Sequence, residues 1–244
     1  MNACHIILDG MQSNNTVRWQ HEEATIHAKL GKLFKALYMP KAAIREFKKH
    51  KDIIEMLGKT QKNIIAWQLE LAAVRIQTSS VFASSGNLSS AHEGLIASQA
   101  VYENISKSTS CTISTDLELA VIYSEIASVL MKMGSYEEAK KKIESAKSIL
   151  EDMRSHSPGI DHQKELLATY SQYGDVLTYL HDFKGALEFY RRDYVESSTL
   201  ASWDASYRHE LAISCSKLGD IVTIPRQSRG PSWCEPLKAA ERGR

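Results

Sequence analysis

The histidines and carboxylates of this chain include one arrangement that approaches a metal-binding helix. In a zincin-type site, two histidines stand four residues apart on one helix face, with a glutamate between them as the general base. His21 is followed by Glu22 and Glu23, but the next histidine is His27, six residues on. Because residues six apart do not share a helix face, we predict no metal site at this position.

Other motifs that would support catalysis are absent from the sequence. It contains no Gly-x-Ser-x-Gly elbow, no P-loop and no Gly-x-Gly-x-x-Gly turn, which serine hydrolases, NTPases and dinucleotide-binding enzymes respectively require. The four cysteines are far apart and form no Cys-x-x-Cys pair: Cys4, Cys111, Cys215 and Cys234. This spacing predicts neither a disulfide framework nor a zinc site. We therefore expect a protein that is not an enzyme and that has no cofactor.

One dense basic cluster lies at Lys48-Lys49-His50-Lys51, with Arg45 and Lys41 close by in the sequence. Such a cluster can contact nucleic acid or an acidic lipid surface. The basic residues alternate with Phe47 and Ile53 at helical spacing, which favours the other interpretation, a solvated outer face of a helix.

The composition excludes several classes of protein. The 244 residues carry a formal net charge of +1, so we do not expect a nucleic-acid-binding protein that depends on a generally basic surface. No apolar run approaches the roughly 18 residues that a membrane span needs. The first ten residues lack the charges and apolar length of a secretory signal. We expect a cytoplasmic protein, with a nuclear location as the alternative.

The elements that position these side chains repeat along the chain. Ala43, Ala91, Ala139 and Ala186 are separated by 48, 48 and 47 residues. Twelve residues before each alanine stands another small residue: Gly31, Ser79, Ala127 and Gly174. Four residues after each alanine stands a large apolar or aromatic residue: Phe47, Leu95, Ile143 and Tyr190. A further small residue, Gly219, follows Gly174 by 45 residues and indicates a fifth, incomplete copy.

Within each copy the apolar spacing of three and four residues predicts two amphipathic helices. Between the first two helices, Pro40 would stand in the first turn of the second helix, where its missing N–H costs no hydrogen bond. The small residues are predicted to lie where the two helices cross closely. One such hairpin cannot bury its own apolar face, so the copies must stack.

These residues resemble the tetratricopeptide repeat, over roughly residues 21 to 222. The best matches are Gly134-Ser135-Tyr136 with Ala139, and Gly174 with Phe183, Ala186 and Tyr190. The resemblance implies an all-α fold, a right-handed α-solenoid of stacked antiparallel helical hairpins. The period of 45–48 residues exceeds the usual 34, so longer helices or larger loops are expected.

The pattern divides the chain into three parts. Residues 1–20 are predicted to be a flexible lead, residues 21–222 the array of four hairpins and a fifth first helix, and residues 223–244 a disordered basic tail. In that fifth helix the repeat phase places Cys215 on the buried side, as a small apolar filler. The lost repeat pattern after Val222 has two interpretations: the chain is a shortened or alternative form of a longer repeat protein, or the fifth helix is itself the cap.

The resemblance implies that partners bind in a concave groove lined by the first helix of each hairpin. Counting from the small positions gives the predicted groove residues Lys32, Lys35, Ser80, Glu125, Ser128, Asp175, Thr178 and Asp220, with Ser171 on the same face. This groove would be basic near the first hairpin and acidic near the fourth and fifth, which could orient an extended peptide or a helix. The lysine and asparagine set with which related co-chaperones clamp a terminal carboxylate is not present, so that activity is not expected.

The predicted function is that of a protein–protein interaction scaffold or adaptor without enzymatic activity. One alternative is the regulatory or sensor arm of a larger enzyme or signalling assembly. Another is a genome-maintenance scaffold, because Ala186–Tyr194 followed by Ser197-Ser198 resembles a repeat of Tonsoku-type proteins over one hairpin. Self-association through the unpaired fifth helix is a further interpretation.

Overall fold

The second helix of every predicted hairpin begins three residues before its repeated alanine. The computed structural model describes residues 2–60, 64–108, 113–156 and 160–227. Its helices are α1 (Asn2–Ala36), α2 (Pro40–Thr60), α3 (Ile64–Ser84), α4 (Leu88–Ser108), α5 (Ile113–Lys132), α6 (Tyr136–His156), α7 (Ile160–Tyr179), α8 (Phe183–Trp203) and α9 (Arg208–Gln227), with a short 3₁₀ turn at Ala205–Tyr207. Over these ranges the chain contains no β-strand.

The chain forms two compact units, residues 1–133 with α1 to α5 and residues 134–244 with α6 to α9. In the first unit α1 packs on α2, α2 on α3, α3 on α4 and α4 on α5; in the second, α6 packs on α7, α7 on α8 and α8 on α9. This consecutive packing confirms the predicted all-α solenoid fold. The helices α2 to α9 have 20 or 21 residues each, so longer helices account for the long period.

The four repeated alanines occupy equivalent environments. Each has no exposed surface, and each donates its amide N–H to the carbonyl four residues earlier, just before its helix begins. These donor–acceptor pairs are Ala43 to Met39 (3.0 Å), Ala91 to Asn87 (3.2 Å), Ala139 to Ser135 (3.0 Å) and Ala186 to Asp182 (2.9 Å). The repeat phase derived from the sequence is therefore confirmed.

A left-handed residue stands five positions before each of these alanines. The φ angles are +55° at Tyr38, +83° at Gly86, +81° at Gly134 and +61° at His181. A residue in this conformation ends the preceding helix, because the amide that follows can bond back to an open carbonyl. The amides of Met39 and Asp182 do so, to Phe34 at 2.9 Å and Leu177 at 2.8 Å.

The small residue of a first helix lies against the large residue that follows the alanine. A Cβ atom added to Gly31 would stand 2.5 Å from the Phe47 ring, and one added to Gly174 would overlap the Tyr190 ring. The predicted close crossing is correct, but the glycine makes room for an aromatic ring rather than for the repeated alanine. At Gly219 an added Cβ would meet nothing within 4 Å.

The first and last described helices extend beyond residues 21–222. The helix α1 begins at Asn2 and so includes the residues that the sequence pattern assigns to a lead. At the other end α9 continues to Gln227, through Pro225, although the tail was predicted from residue 223. A proline inside a helix removes one backbone hydrogen bond, and here only two residues of α9 follow it. The rest of the predicted tail, residues 228–244, lies outside the described residues.

Candidate functional site

Two predicted groove residues, Asp175 and Thr178, lie in one polar cluster with Tyr190 of α8 and Lys217 of α9. The Tyr190 hydroxyl donates to Asp175 Oδ1 at 2.7 Å, and Lys217 Nζ donates to Oδ2 at 2.6 Å. Thr178 Oγ1 lies 3.4 Å from the Tyr190 hydroxyl oxygen. Burial raises the pKa of Tyr190, and the carboxylates of Asp175 and Asp220 raise it further. The hydroxyl therefore stays protonated and remains a donor.

This cluster changes the electrostatics expected for the second unit. The ammonium of Lys217 offsets the charge of Asp175, which the sequence pattern treated as a free acidic group. Asp220, the other acidic residue predicted for the groove in this unit, is exposed on α9. Lys217 was missed because its partner lies 42 residues earlier in the chain.

The remaining predicted groove residues belong to the first unit and lie on three of its helices. Lys32 and Lys35 are exposed on α1, one and four residues after the buried Gly31. Ser80 on α3 is partly buried, as are the two residues on α5, Glu125 and Ser128. A partner could thus reach the two lysines directly, whereas the Ser80 hydroxyl oxygen is buried and has no hydrogen-bond partner among the described residues.

A cavity of about 390 Å³ lies in the second unit between α7, α8 and α9. Ser171, which was counted onto the groove face, is one of its lining residues. The other residues that line it are Lys164, Glu165, Leu167, Ala168 and Gln172 of α7, Asp193 of α8, and Glu210 and Ile213 of α9. The cavity therefore has carboxylates from three helices and an apolar wall. Its volume lies within the range of about 300–1,000 Å³ that is typical of ligand pockets.

Asp193 is the most deeply buried polar residue of this lining, with 3% of its surface exposed. Its Oδ1 accepts a hydrogen bond from Ser197 Oγ at 3.2 Å, and its Oδ2 accepts one from Ser214 Oγ at 2.7 Å. Burial raises the pKa of Asp193 above its ordinary value, although both serine hydroxyls act in the opposite direction. The two serines hold the carboxylate in place without neutralising it.

Two further acceptors among these lining residues have no donor. The Oε1 of Gln172 and the Oε2 of Glu210 are buried and accept no hydrogen bond from any residue that the structure describes. A buried polar atom without a partner is costly, so these atoms point to a missing donor. The sequence alone did not reveal this set, because Gln172, Asp193 and Glu210 stand on three helices at no recognisable spacing.

The basic cluster of α2 is largely paired within the first hairpin. Arg45 Nε and Lys49 Nζ lie 3.1 and 3.4 Å from Glu46 Oε1. His50, expected on a solvated face, is instead 5% exposed, and its Nδ1 donates to the Ala24 carbonyl at 2.7 Å. His50 follows Glu46 by four residues and Phe47 by three, so the three share the inner face of α2.

The histidines of α1 form contacts that the sequence analysis did not predict. His27 Nδ1 donates to the buried carboxylate of Glu46 at 2.7 Å, and His21 Nε2 lies 3.2 Å from Glu70 of α3. Burial alone would raise the pKa of Glu46, but hydrogen bonds from His27, Arg45 and Lys49 outweigh it and lower the pKa. Within the described ranges, no cluster of three or more His, Cys, Asp or Glu side chains could hold a metal ion.

Cys215 was predicted on the buried side of α9, and that prediction is wrong. Its side chain is exposed, whereas Ser214 and Ile221, seven residues apart, are the buried positions of this helix. A residue next to Ser214 is turned by about 100° around the helix axis. None of the helices in the described part of the chain is long and apolar enough to cross a membrane.

Comparisons with known proteins identify the fold. No family model and no curated sequence matches the chain. The apo form of RapI matches with a TM-score of 0.61 at 12% identity, over 85% of this chain and 54% of that one. A Podosopora anserina putative kinesin light chain with TPR-like repeats matches at 0.55 and 17% identity, over 84% and 87% of the two chains. The yeast histone chaperone Hif1 matches at 0.52 and 12% identity, over 86% and 97%.

This chain thus spans about half the length of the RapI structure and most of the length of the kinesin light chain and Hif1 structures. It has a TPR-like repeat fold.

Proposed function

We propose that this chain is a scaffold without enzymatic activity, which binds a peptide or a helix of a partner protein on the face formed by the first helices of its hairpins. The observation that carries the proposal is the cavity of about 390 Å³ between α7 and α9, with the predicted groove residue Ser171 in its lining. Both of these helices are first helices. A cavity between them gives a partner side chain a place to insert, as binding hot spots require.

The fold supports this proposal at a coarser level. Hif1 is described as a scaffold protein that recruits protein complexes to core histones. Stacked helical hairpins of this kind generally present extended binding surfaces. The fold therefore supports protein binding as the general function of this chain.

In the first unit the proposed contacts are Lys32 and Lys35, with Ser80, Glu125 and Ser128 as polar neighbours along the same face. The two exposed ammonium groups would pair with acidic residues of the partner. In the second unit the proposed contacts are Asp175, Thr178 and Asp220. Because Lys217 already offsets Asp175, we expect Asp220 to supply most of the acidic attraction there.

Site-specific photo-crosslinking tests the proposal. A photoreactive phenylalanine analogue replaces Ser171 in one variant and Lys32 in another, and Glu138, exposed on α6, in the control. After illumination in extract from the native source, we expect the same partner to be captured at Ser171 and Lys32 but not at Glu138. Equal capture at all three positions would contradict binding on this face. The Lys32→Glu/Lys35→Glu double variant should also lose the partner in a pull-down.

A second candidate function, self-association, is favoured by the environment of Gly219. In α7 Gly174 is covered by Tyr190, whereas a Cβ added at the exposed Gly219 of α9 would meet no described atom within 4 Å. A second copy of the chain could pack on this open face of α9. Size-exclusion chromatography with light scattering would then show a dimer, which Gly219→Glu abolishes. Glutamate favours a helix over glycine, so unfolding of α9 would not explain that loss.

A further inference from the structure

We infer that the cavity between α7, α8 and α9 binds the guanidinium group of an arginine side chain. The inference deepens the proposed function and rests on it for the source of the arginine, a residue of the partner protein. Three observations carry it: two buried acceptors without donors, a buried carboxylate with no ion-pair partner within 4.0 Å among the described residues, and an apolar wall beside them.

The unpaired acceptors indicate that the ligand of this cavity donates hydrogen bonds. Gln172 Oε1 and Glu210 Oε2 are buried oxygen atoms that accept no hydrogen bond. An oxygen of this kind can be satisfied only by a donor from outside the described residues, or by water. Both oxygens are shielded from solvent, but both residues line the same cavity, so one ligand with several N–H groups can serve both after a small rotation of their side chains.

The charge indicates the sign of the ligand. Asp193, Glu210 and Glu165 supply three carboxylates to the lining, and Lys164 supplies one ammonium. The charge of Lys217, outside the lining, also lowers the pKa of Asp193. Among the described residues, Asp193 has no ion-pair partner within 4.0 Å, and its two hydrogen bonds come from neutral serines. A buried carboxylate is stabilised most by a cation that also donates hydrogen bonds to it.

The shape of the lining favours guanidinium over ammonium. A guanidinium is planar, carries five N–H donors and is weakly hydrated, so it can reach several separated acceptors at a small desolvation cost. Leu167, Ala168 and Ile213 supply the apolar surface against which the methylene groups of an arginine can pack. An ammonium presents only three donors from one point.

The test uses small probes and does not need the partner. Binding of N-acetyl-arginine amide to the full chain is followed by ¹H–¹⁵N NMR, with N-acetyl-lysine amide and the neutral isostere N-acetyl-citrulline amide as comparisons. We expect saturable shifts at Ser171, Gln172, Asp193 and Glu210 with the arginine probe, weaker binding of the lysine probe, and none of the citrulline probe.

Four variants locate the site. Asp193→Asn should weaken arginine binding about tenfold or more, because the neutral amide cannot pair with the cation. Ala168→Trp should fill the cavity and leave every charged residue of its lining in place. Because Ala168 is exposed, the larger side chain need not disturb the core. Lys164→Met should tighten binding about twofold to threefold by removing the competing cation. The exposed Glu138→Gln on α6 is the matched control and should have no effect.

The possible outcomes are separable. If Asp193→Asn does not fold, Ala168→Trp and Lys164→Met decide the matter. Equal binding of the citrulline probe, a lysine probe that binds as tightly as arginine, or arginine binding unchanged by Ala168→Trp would overturn the inference. Arginine binding without a crosslinked partner at Ser171 would leave the cavity assigned and contradict the proposed function. A partner crosslinked at Ser171 without arginine binding would support the proposed function and contradict the arginine site.

Discussion

Tyr190 of α8 lies directly over Gly174 of α7, so closely that a single Cβ atom at Gly174 would overlap the aromatic ring. The same hydroxyl-bearing ring donates to Asp175, the next residue of α7. One side chain thus fixes the distance between the two helices and the position of a candidate binding residue. Phe47 and Gly31 repeat the packing relationship in the first unit.

Gly174→Leu should therefore destabilise the protein, because the new side chain forces α7 and α8 apart. Overpacking of this kind costs about 1–3 kcal/mol. Gly219→Leu is the matched control: it makes the same change at an open position of α9 and should stabilise the helix by about 0.5–1 kcal/mol. Chemical denaturation of both variants gives the comparison. If Gly174→Leu unfolds at the same denaturant concentration as the parent, the helices do not cross at this glycine.

The contrast between these two glycines shows what the sequence could predict. The spacing of Ala43, Ala91, Ala139 and Ala186 predicted four equivalent buried positions, because a helix that packs on its neighbours repeats its contacts with the repeat period. The close approach of α7 and α8 at Gly174 also follows from that period, although the side chain packed on the glycine is Tyr190 and not the repeated alanine. Both predictions depend on local helix geometry, which the sequence pattern records directly.

The cavity and the exposure of Cys215 could not be predicted in the same way. Asp193, Gln172 and Glu210 stand on three helices, so their meeting depends on how the helices are rotated about their axes. The 3₁₀ turn at Ala205–Tyr207 precedes α9, and the interval from Gly174 to Gly219 is shorter than the earlier ones. The prediction for Cys215 assumed that α9 keeps the repeat spacing of the earlier helices. Because the spacing is shorter here, the predicted buried face of α9 was wrong.

Tyr38→Gly should stabilise the first hairpin. Tyr38 has a φ of +55° and is 93% exposed, so its side chain contributes strain to the turn and little packing. Glycine adopts this conformation freely, and we expect a gain of about 0.5–1 kcal/mol in the free energy of unfolding. Thermal denaturation measures it, with Tyr38→Ala as the control that removes the ring but keeps the Cβ strain. A similar gain from alanine would show that the ring, not the backbone, is unfavourable.

Glu46 should make the stability of the first unit depend on acid. Its pKa is lowered in the folded chain from an ordinary value of 4.5. The folded state therefore favours the ionised carboxylate, which contributes its full stabilisation above that value and loses it as the pH falls through the folded pKa. Glu46→Gln should be less stable than the parent near pH 6, and this difference should shrink as the pH falls from about 5 to 3.

Urea denaturation at several pH values measures this convergence. Glu23→Gln is the control, since it makes the same change at an exposed position of α1. A Glu46→Gln variant whose difference from the parent does not change with pH would mean that the contacts with His27, Arg45 and Lys49 do not favour the ionised carboxylate.

The ion pair between Asp175 and Lys217 should contribute more than an ordinary surface pair. Its atoms are 2.6 Å apart, and the two side chains are only 31% and 25% exposed, so solvent screens the charges less than at an open surface. A double-mutant cycle with Asp175→Asn and Lys217→Met should give a coupling free energy of about 1–2 kcal/mol. The exposed pair Glu188–Arg192, also at short distance (2.7 Å), should give only about 0.3–0.5 kcal/mol in the same cycle. Equal coupling energies for the two pairs would show that Lys217 does not hold α9 to α7, and would return Asp175 to the set of free acidic groups on the proposed binding face.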